Sequence, residues 1–262
     1  MHCWTTRSRS APWSATGTDG SAARLASRGV ELTPGLLDDR DALTAAMRGV
    51  RGVFAITTPF ESGPDAEIEQ GRSILAAGHA ATVPHLVFSS VAGATQDSGV
   101  PHFESKAVIE REIAAGDVPY TILGPTYFFD NALGGRDRIL QGVLDLPLPP
   151  DRALQQLARP DLGRFAAAVL GSPQTYLGQR IELASDQPTP QQMAQSLGAA
   201  LGRQVRHDEV PVDRIDDPEM HAMWTFLRGE GYQVDISALH TSHPRVGWTS
   251  FATWADTTFG AL

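Results

Sequence analysis

Residues 52–91 read GVFAITTPFESGPDAEIEQGRSILAAGHAATVPHLVFSSV, and this stretch decides the fold class. Two short apolar runs, VFAI and LVF, flank a segment with the length and composition of a helix. Neither run alternates polar with apolar residues, the pattern of a strand covered by helices on both faces. A strand, a crossover helix and a second strand make a parallel unit, because a connection of that length returns the chain to the same edge of the sheet.

The pattern extends both ways. Upstream, VELTPG (30–35) is a short strand, and DDRDALTAAMRG (38–49) is a helix with Leu43, Ala46 and Met47 at helical spacing and a stop at Gly49. Downstream, HFESKAVIEREIAAGD (102–117) is a helix, and PYTILG (119–124) is a strand stopped by Pro125. The expectation is a doubly wound parallel α/β sheet, whose ligands lie beyond the carboxyl ends of its strands. Past residue 130 the alternation gives way to the Pro- and Asp-rich DLPLPPDRALQQLARPDLG (145–163). Helices over 161–170 and 190–202, strands over 179–185 and 205–212, and a helical end with Trp224, Trp248 and Trp254 as anchors then suggest a small mixed lobe. The expected organisation is a leader over 1–18, a nucleotide-binding type of domain over 19–150 and a lobe over 151–262, intertwined with it.

Of the 262 residues, 42% are hydrophobic and 19% charged, ordinary values for a globular protein. A formal net charge of −9, with no gathering of Lys and Arg, argues against a general hold on nucleic acid or anionic membrane. The single cysteine, Cys3, excludes an internal disulfide and a Cys-based metal centre, and it fits a reducing cytoplasm. No stretch approaches the roughly 18 apolar residues that span a membrane.

Strand ends then nominate the chemistry. After GVFAI come Thr57, Thr58, Pro59 and Phe60, which hold a ribose or flank a planar ring on one reading and form a turn with a core Phe on the other. After HLVF comes Ser89, and a dozen residues on His102 and Lys106 sit four apart on one helix face. An ammonium and an imidazole there suit ribose binding and proton transfer, and they equally suit a solvated helix start.

The runs HLVFSSVAG, PHFESKAVIE and VPYTILGPTYFFDN, followed by RPDLGRFAAAVL and YLGQRIELASDQPTPQQMAQSLGAALGR, resemble the NmrA-like family of atypical short-chain dehydrogenases/reductases over roughly residues 19–260. The resemblance implies a Rossmann domain binding NADP or NAD and a small substrate lobe. It places Thr57, Thr58, Pro59 and Phe60 near the nicotinamide half, Lys106 at the nicotinamide ribose, and Phe128, Phe129, Asp130 and Asn131 along the cleft, and it counts Leu37 and Ser89 among the cofactor-binding residues. It also implies reduction of a small electrophilic or quinone-like acceptor, or cofactor sensing on behalf of a regulatory protein partner, with a truncated member that has neither role as a third reading.

Three departures qualify it. Where the superfamily's proton-donating Tyr stands, this chain has His102, whose unperturbed pKa of roughly 6.5 still suits an acid near neutrality. Leu36 replaces a carboxylate by the adenine, which costs on the order of 1 kcal/mol, and Gly124 replaces an Arg. The third concerns the start. Gly17, Gly20 and Ala23 have the G-x-x-G-x-x-A spacing of a phosphate-binding turn, but the preceding TTRSRSAPWS (5–14) is polar and contains Pro12, unlike a buried strand. DGSAARLASRGVELTPGLLDD (19–39) fits the fold's second helix and third strand instead. The expectation is therefore an N-terminally truncated fold: first strand, glycine turn, first helix and second strand absent, neighbours without ladder partners, and the pyrophosphate without its helix N-terminus.

Overall fold

The computed structural model describes residues 3–6, 10–14 and 20–260, with side chains from residue 22 onward. In chain order the elements begin with β1 (Cys3–Thr6), β2 (Ser10–Ser14), α1 (Gly20–Ser27), β3 (Thr33–Pro34), α2 (Arg40–Met47), β4 (Val53–Ile56) and α3 (Gly63–Ala80). Next come β5 (Leu86–Ser89), α4 (Pro101–Ala115), β6 (Tyr120–Pro125), β7 (Tyr127–Phe128), a 3-10 turn over Phe129–Gly135 and α5 (Arg136–Leu140). They continue with β8 (Val143–Leu146), β9 (Gln156–Leu157), α6 (Arg159–Gly171), α7 (Pro173–Tyr176), β10 (Arg180–Leu183) and α8 (Pro190–Leu201). The chain ends with β11 (Arg206–Glu209), α9 (Pro218–Arg228), α10 (Ile236–Ser242) and α11 (Phe251–Phe259). It divides into two compact units interleaved along the sequence. The first comprises residues up to Ala94, His102–Gly124 and Ala166–Ile181, and the second Thr95–Pro101, Pro125–Phe165 and Glu182 onward.

The first unit is built on a seven-stranded sheet in the order β10-β6-β5-β4-β1-β2-β3. β4, β5 and β6 are parallel, as expected from their crossovers, with Ile56 opposite Ser89 and Ser89 opposite Leu123. That register brings the residues following the three strands to one edge. One face carries α2, α3 and α4, and here Leu43, Met47, Val53, Ala55, Ile74, Ala77, Leu86, Phe88, Ile109, Ile113 and Ile122 form a continuous core. Each Val, Leu, Ile, Phe or Met side chain among them stabilises by roughly 1.5–3 kcal/mol when fully buried. All four residues of β5 are buried, as its unbroken apolar run predicts, whereas Phe54 and Ile56 on the other side of β4 are only half-buried.

The front of the chain corrects the sequence reading. Within the expected leader, Cys3–Thr6 and Ser10–Ser14 are two strands. β1 pairs with β4 (Trp4 opposite Phe54) and with β2, and β2 pairs with β3 (Trp13 opposite Thr33). β4 therefore has a ladder partner on both sides. Exposed N–H and C=O groups along a central strand are costly, and a nearby hairpin satisfies them without a crossover helix. Pro12, which argued against a strand, stands opposite Trp4 in the register. The solution differs from an all-parallel sheet in one respect: β1 is antiparallel to both its neighbours, so β2 and β3 still run with β4, β5 and β6. Of the apparent phosphate-binding turn, Gly17 lies outside the described residues, and Gly20 and Ala23 fall within α1.

The second unit holds two small parallel pairs, β8 with β11 and β7 with β9. α8 starts at a capping box, Thr189 with Gln192, and ends at Gly202 in the left-handed conformation with φ 63°. Phe129 is fully buried, its ring 5.3 Å from Phe251 and 5.9 Å from Trp254. Trp248 stacks on His240 at 4.6 Å, and Trp224 lies 5.5 Å from Tyr127, so the three tryptophans do anchor this unit. No helix among the described residues is long and apolar enough to cross a membrane.

Candidate functional site

At the carboxyl ends of β4 and β5, in the first unit, three of the nominated residues behave as a group. Thr57 and Ser89 are buried there, and α4 delivers Lys106 from above. The Lys106 ammonium donates to the Thr57 carbonyl at 2.8 Å and to Thr57 Oγ1 at 2.9 Å. Its third partner was not foreseen: Glu67 Oε1, on α3, at 3.0 Å. Ser89 O lies at 3.5 Å and the Phe88 ring centroid at 5.3 Å. An ammonium has three N–H groups, so Lys106 meets a ribose hydroxyl only by exchanging one of these bonds.

Glu67 is completely buried and accepts two further hydrogen bonds, from Thr57 Oγ1 at 3.0 Å and from Ser105 Oγ at 2.5 Å. Burial pushes the Lys106 pKa below the usual lysine value, and the nearby Glu67 and Glu110 carboxylates push it back up. Glu110 in turn accepts from Arg180 Nε at 2.6 Å, while Arg180 Nη2 donates to Val91 O at 3.0 Å. Two cations thus alternate with two carboxylates beside the strand ends. A signal for Glu67 did exist in the sequence: it shares the buried row of α3 with Gly71, Ile74 and Gly78, a charge in line with apolar and small residues.

Ser89 Oγ and Ser90 Oγ are buried hydroxyls with no hydrogen-bond partner in the protein. Buried polar atoms are nearly always paired, so these two suit a polar ligand such as a ribose. Pro59 is buried and Thr58 half-buried, whereas Phe60 is 68% exposed and lies 5.6 Å from the His102 ring. Thus Phe60 is not a core residue; it and the half-buried His102 form an aromatic edge at the start of α4. Leu37 packs into the apolar core with Leu43 and Met47, which leaves only its backbone to face an adenine. For the pyrophosphate half of a dinucleotide, the described residues offer no glycine turn opening a helix after β1.

The remaining nominated residues belong to the second unit. Phe129 is core, Phe128 is half-buried and Asn131 is exposed. Asp130 Oδ1 accepts from Arg159 Nη2 at 2.5 Å, and its Oδ2 has no partner in the protein. Asn131 hydrogen-bonds the Tyr127 hydroxyl, whose pKa burial pushes up to about 12 against that bond. A carboxylate that sequence reasoning passed over, Asp161, is fully buried and accepts from Ser185 Oγ at 2.6 Å, Thr249 N and Thr249 Oγ1 at 2.8 Å, and Arg164. With every oxygen engaged by neighbours within its own unit, it joins segments of the fold. Among the described residues no cluster of His, Cys, Asp and Glu suits a metal ion.

The chain has relatives among known proteins. The chain is 31% identical over 189 residues to a (4-alkanoyl-5-oxo-2,5-dihydrofuran-3-yl)methyl phosphate reductase of Streptomyces griseus, a match spanning 71% of this chain and 64% of that relative, less than two thirds of its length. In three dimensions it is similar to an NADPH-dependent quinone oxidoreductase of Escherichia coli in complex with NADPH, with a TM-score of 0.77 at 23% identity over 94% of this chain and 89% of that one. NmrA, a negative transcriptional regulator in complex with NADP, gives a TM-score of 0.76 at 19% identity over 95% and 87% of the two chains. The NmrA-like family model matches residues 14–253. Because that match takes in well over half of the 262 residues, the chain belongs to the NmrA-like family.

Proposed function

We propose that the protein is an NAD(P)H-dependent oxidoreductase acting on a small electrophilic or quinone-like acceptor. The observation that carries this reading is the pair of unpartnered buried hydroxyls, Ser89 Oγ and Ser90 Oγ, beside the Thr57–Lys106–Glu67 cluster. Hydroxyls and a fixed ammonium at the carboxyl ends of parallel strands suit the nicotinamide ribose. Thr57, Ser89 and Ser90 would hold that half of NADP or NAD, and the cofactor, when bound, supplies a hydride. Phe60 offers an exposed ring for a planar acceptor, with the His102 ring 5.6 Å away to donate a proton to the reduced oxygen. The reductase and quinone oxidoreductase names of the relatives point the same way, and the cytoplasm is the compartment this chemistry asks for.

A second reading, a cofactor sensor acting through a protein partner, draws on one feature: all three N–H groups of Lys106 are already engaged inside the protein. NmrA, a regulator with a similar fold, supports it. His102→Ala separates the two. For an oxidoreductase, NADPH and NADH titrations followed by fluorescence give unchanged affinity, while turnover of a quinone falls about 10²–10⁴-fold. Unchanged turnover removes His102 from the chemistry, and binding without any turnover in the unaltered chain supports the sensor.

A further inference from the structure

Lys106 is the only lysine in the chain; every other member of the 21 Lys and Arg residues is an arginine. Among the described residues the exposed Lys and Arg cations are thus all guanidinium groups, and the one lysine ammonium is buried at the ends of β4 and β5. Geometry explains the choice. A guanidinium is a planar fork, whereas an ammonium directs three N–H groups from one compact point. Here the three acceptors converge from different elements: Thr57 O and Thr57 Oγ1 from the end of β4, and Glu67 Oε1 from α3.

The helices are built to allow that convergence. Gly71 lies one turn beyond Glu67 on α3, and Ile109 lies one turn beyond Ser105 on α4. A Cβ on Gly71 would stand 2.7–2.9 Å from Ile109 side-chain atoms, so the two helices meet closely at this level. Their close approach brings Glu67 within 2.5 Å of Ser105 Oγ and 3.0 Å of Lys106 Nζ.

We propose that Glu67 is the positioning residue of this site: its buried carboxylate, held by Ser105 and Thr57, fixes the Lys106 ammonium at the strand ends. The proposal rests on the reading of this edge as the nicotinamide side. The groups facing Lys106 are Glu67 from α3, Glu110 on α4, the carbonyls of Thr57 and Ser89, and the Phe88 ring, with Arg180 paired to Glu110 from β10. Burial opposes the charged form and the two carboxylates sustain it. Without the Glu67 charge, Lys106 therefore gives up its proton at lower pH.

The single lysine makes the test direct. The cofactor-free full chain, labelled with lysine carrying ¹³C at Cε, yields one lysine resonance, which is followed against pH in the unaltered protein, in Glu67→Gln and in Ser105→Ala. The expected result is a titration displaced to lower pH by at least about one unit in Glu67→Gln, a tenfold loss of proton affinity, and displaced less in Ser105→Ala. Glu67→Asp, which keeps the charge, restores part of the displacement. NADPH affinity, measured on the same proteins, declines with pH from a lower onset in Glu67→Gln. A resonance titrating at one pH in all these proteins overturns the proposal. If Glu67→Gln does not fold, Ser105→Ala decides alone, because it removes one hydroxyl and no charge. A displaced resonance in a protein that never binds NADPH leaves the positioning role standing and removes the cofactor reading; NADPH binding with an undisplaced resonance does the opposite.

Discussion

His85 shows how one buried side chain sets a pH dependence. It opens the approach to β5, and its Nε2 lies 2.8 Å from Thr121 Oγ1, which donates its own proton to Tyr176 O at 2.8 Å. Thr121 thus has only a lone pair for His85, so Nε2 carries the proton and Nδ1, which has no partner in the protein, stays bare. Burial pushes the His85 pKa below its usual value. The unfolded chain takes up a proton near pH 6.5 that the folded chain refuses until lower pH. Stability contributed by neutral His85 is therefore intact above about pH 6.5 and declines as pH falls below it, by up to about 1.4 kcal/mol per pH unit. Urea unfolding at pH 7.5 and 5.5 measures this. His85→Gln, which keeps a donor for Thr121, should lose less stability between the two pH values than the unaltered protein; an equal loss would assign the acid sensitivity elsewhere.

At the scale of elements, α3 and α4 carry the sharpest contrast. Replacing a helical glycine by alanine ordinarily stabilises by roughly 1 kcal/mol. At Gly78 the new Cβ would meet Val118 at 3.7–3.8 Å, an ordinary contact, so Gly78→Ala is expected to follow that rule. At Gly71 it would stand 2.7–2.9 Å from Ile109, too close for either helix to keep its place. Overpacking costs about 1–3 kcal/mol and outweighs the propensity gain, so Gly71→Ala is expected to destabilise and to loosen the Glu67–Lys106 pair. Thermal unfolding of the two variants side by side checks the opposite signs. Two melting temperatures moving together would contradict the close helix contact.

At the scale of the molecule, the interleaving of the two units decides what can stand alone. The first unit takes in residues 166–181, far along the chain. Within it Arg180 holds Glu110 and the Val91 carbonyl, Gln179 O accepts from Ile122 N at 2.9 Å, and Leu170 fills the space over Gly52. A fragment ending at residue 150 lacks all of these and should show no cooperative urea transition by circular dichroism. A sharp transition would mean that residues 166–181 are dispensable.

The sequence alone determined the local order: the apolar runs at β4, β5 and β6, the helices between them, the carboxyl-end positions of Thr57 and Ser89 and the helical setting of Lys106 all follow from short-range periodicity and crossover length. Three things waited on tertiary structure, because each depends on residues far apart in the chain. Glu67 becomes a partner of Lys106 only when Gly71 lets α3 approach α4. Phe60 and Phe129, alike in sequence as aromatic residues after a strand, part company, one 68% exposed and the other fully buried. The polar stretch before residue 15, read as a leader, forms β1 and β2, since the unpaired edge of β4 rewards backbone hydrogen bonding from a segment whose side chains gave no strand pattern.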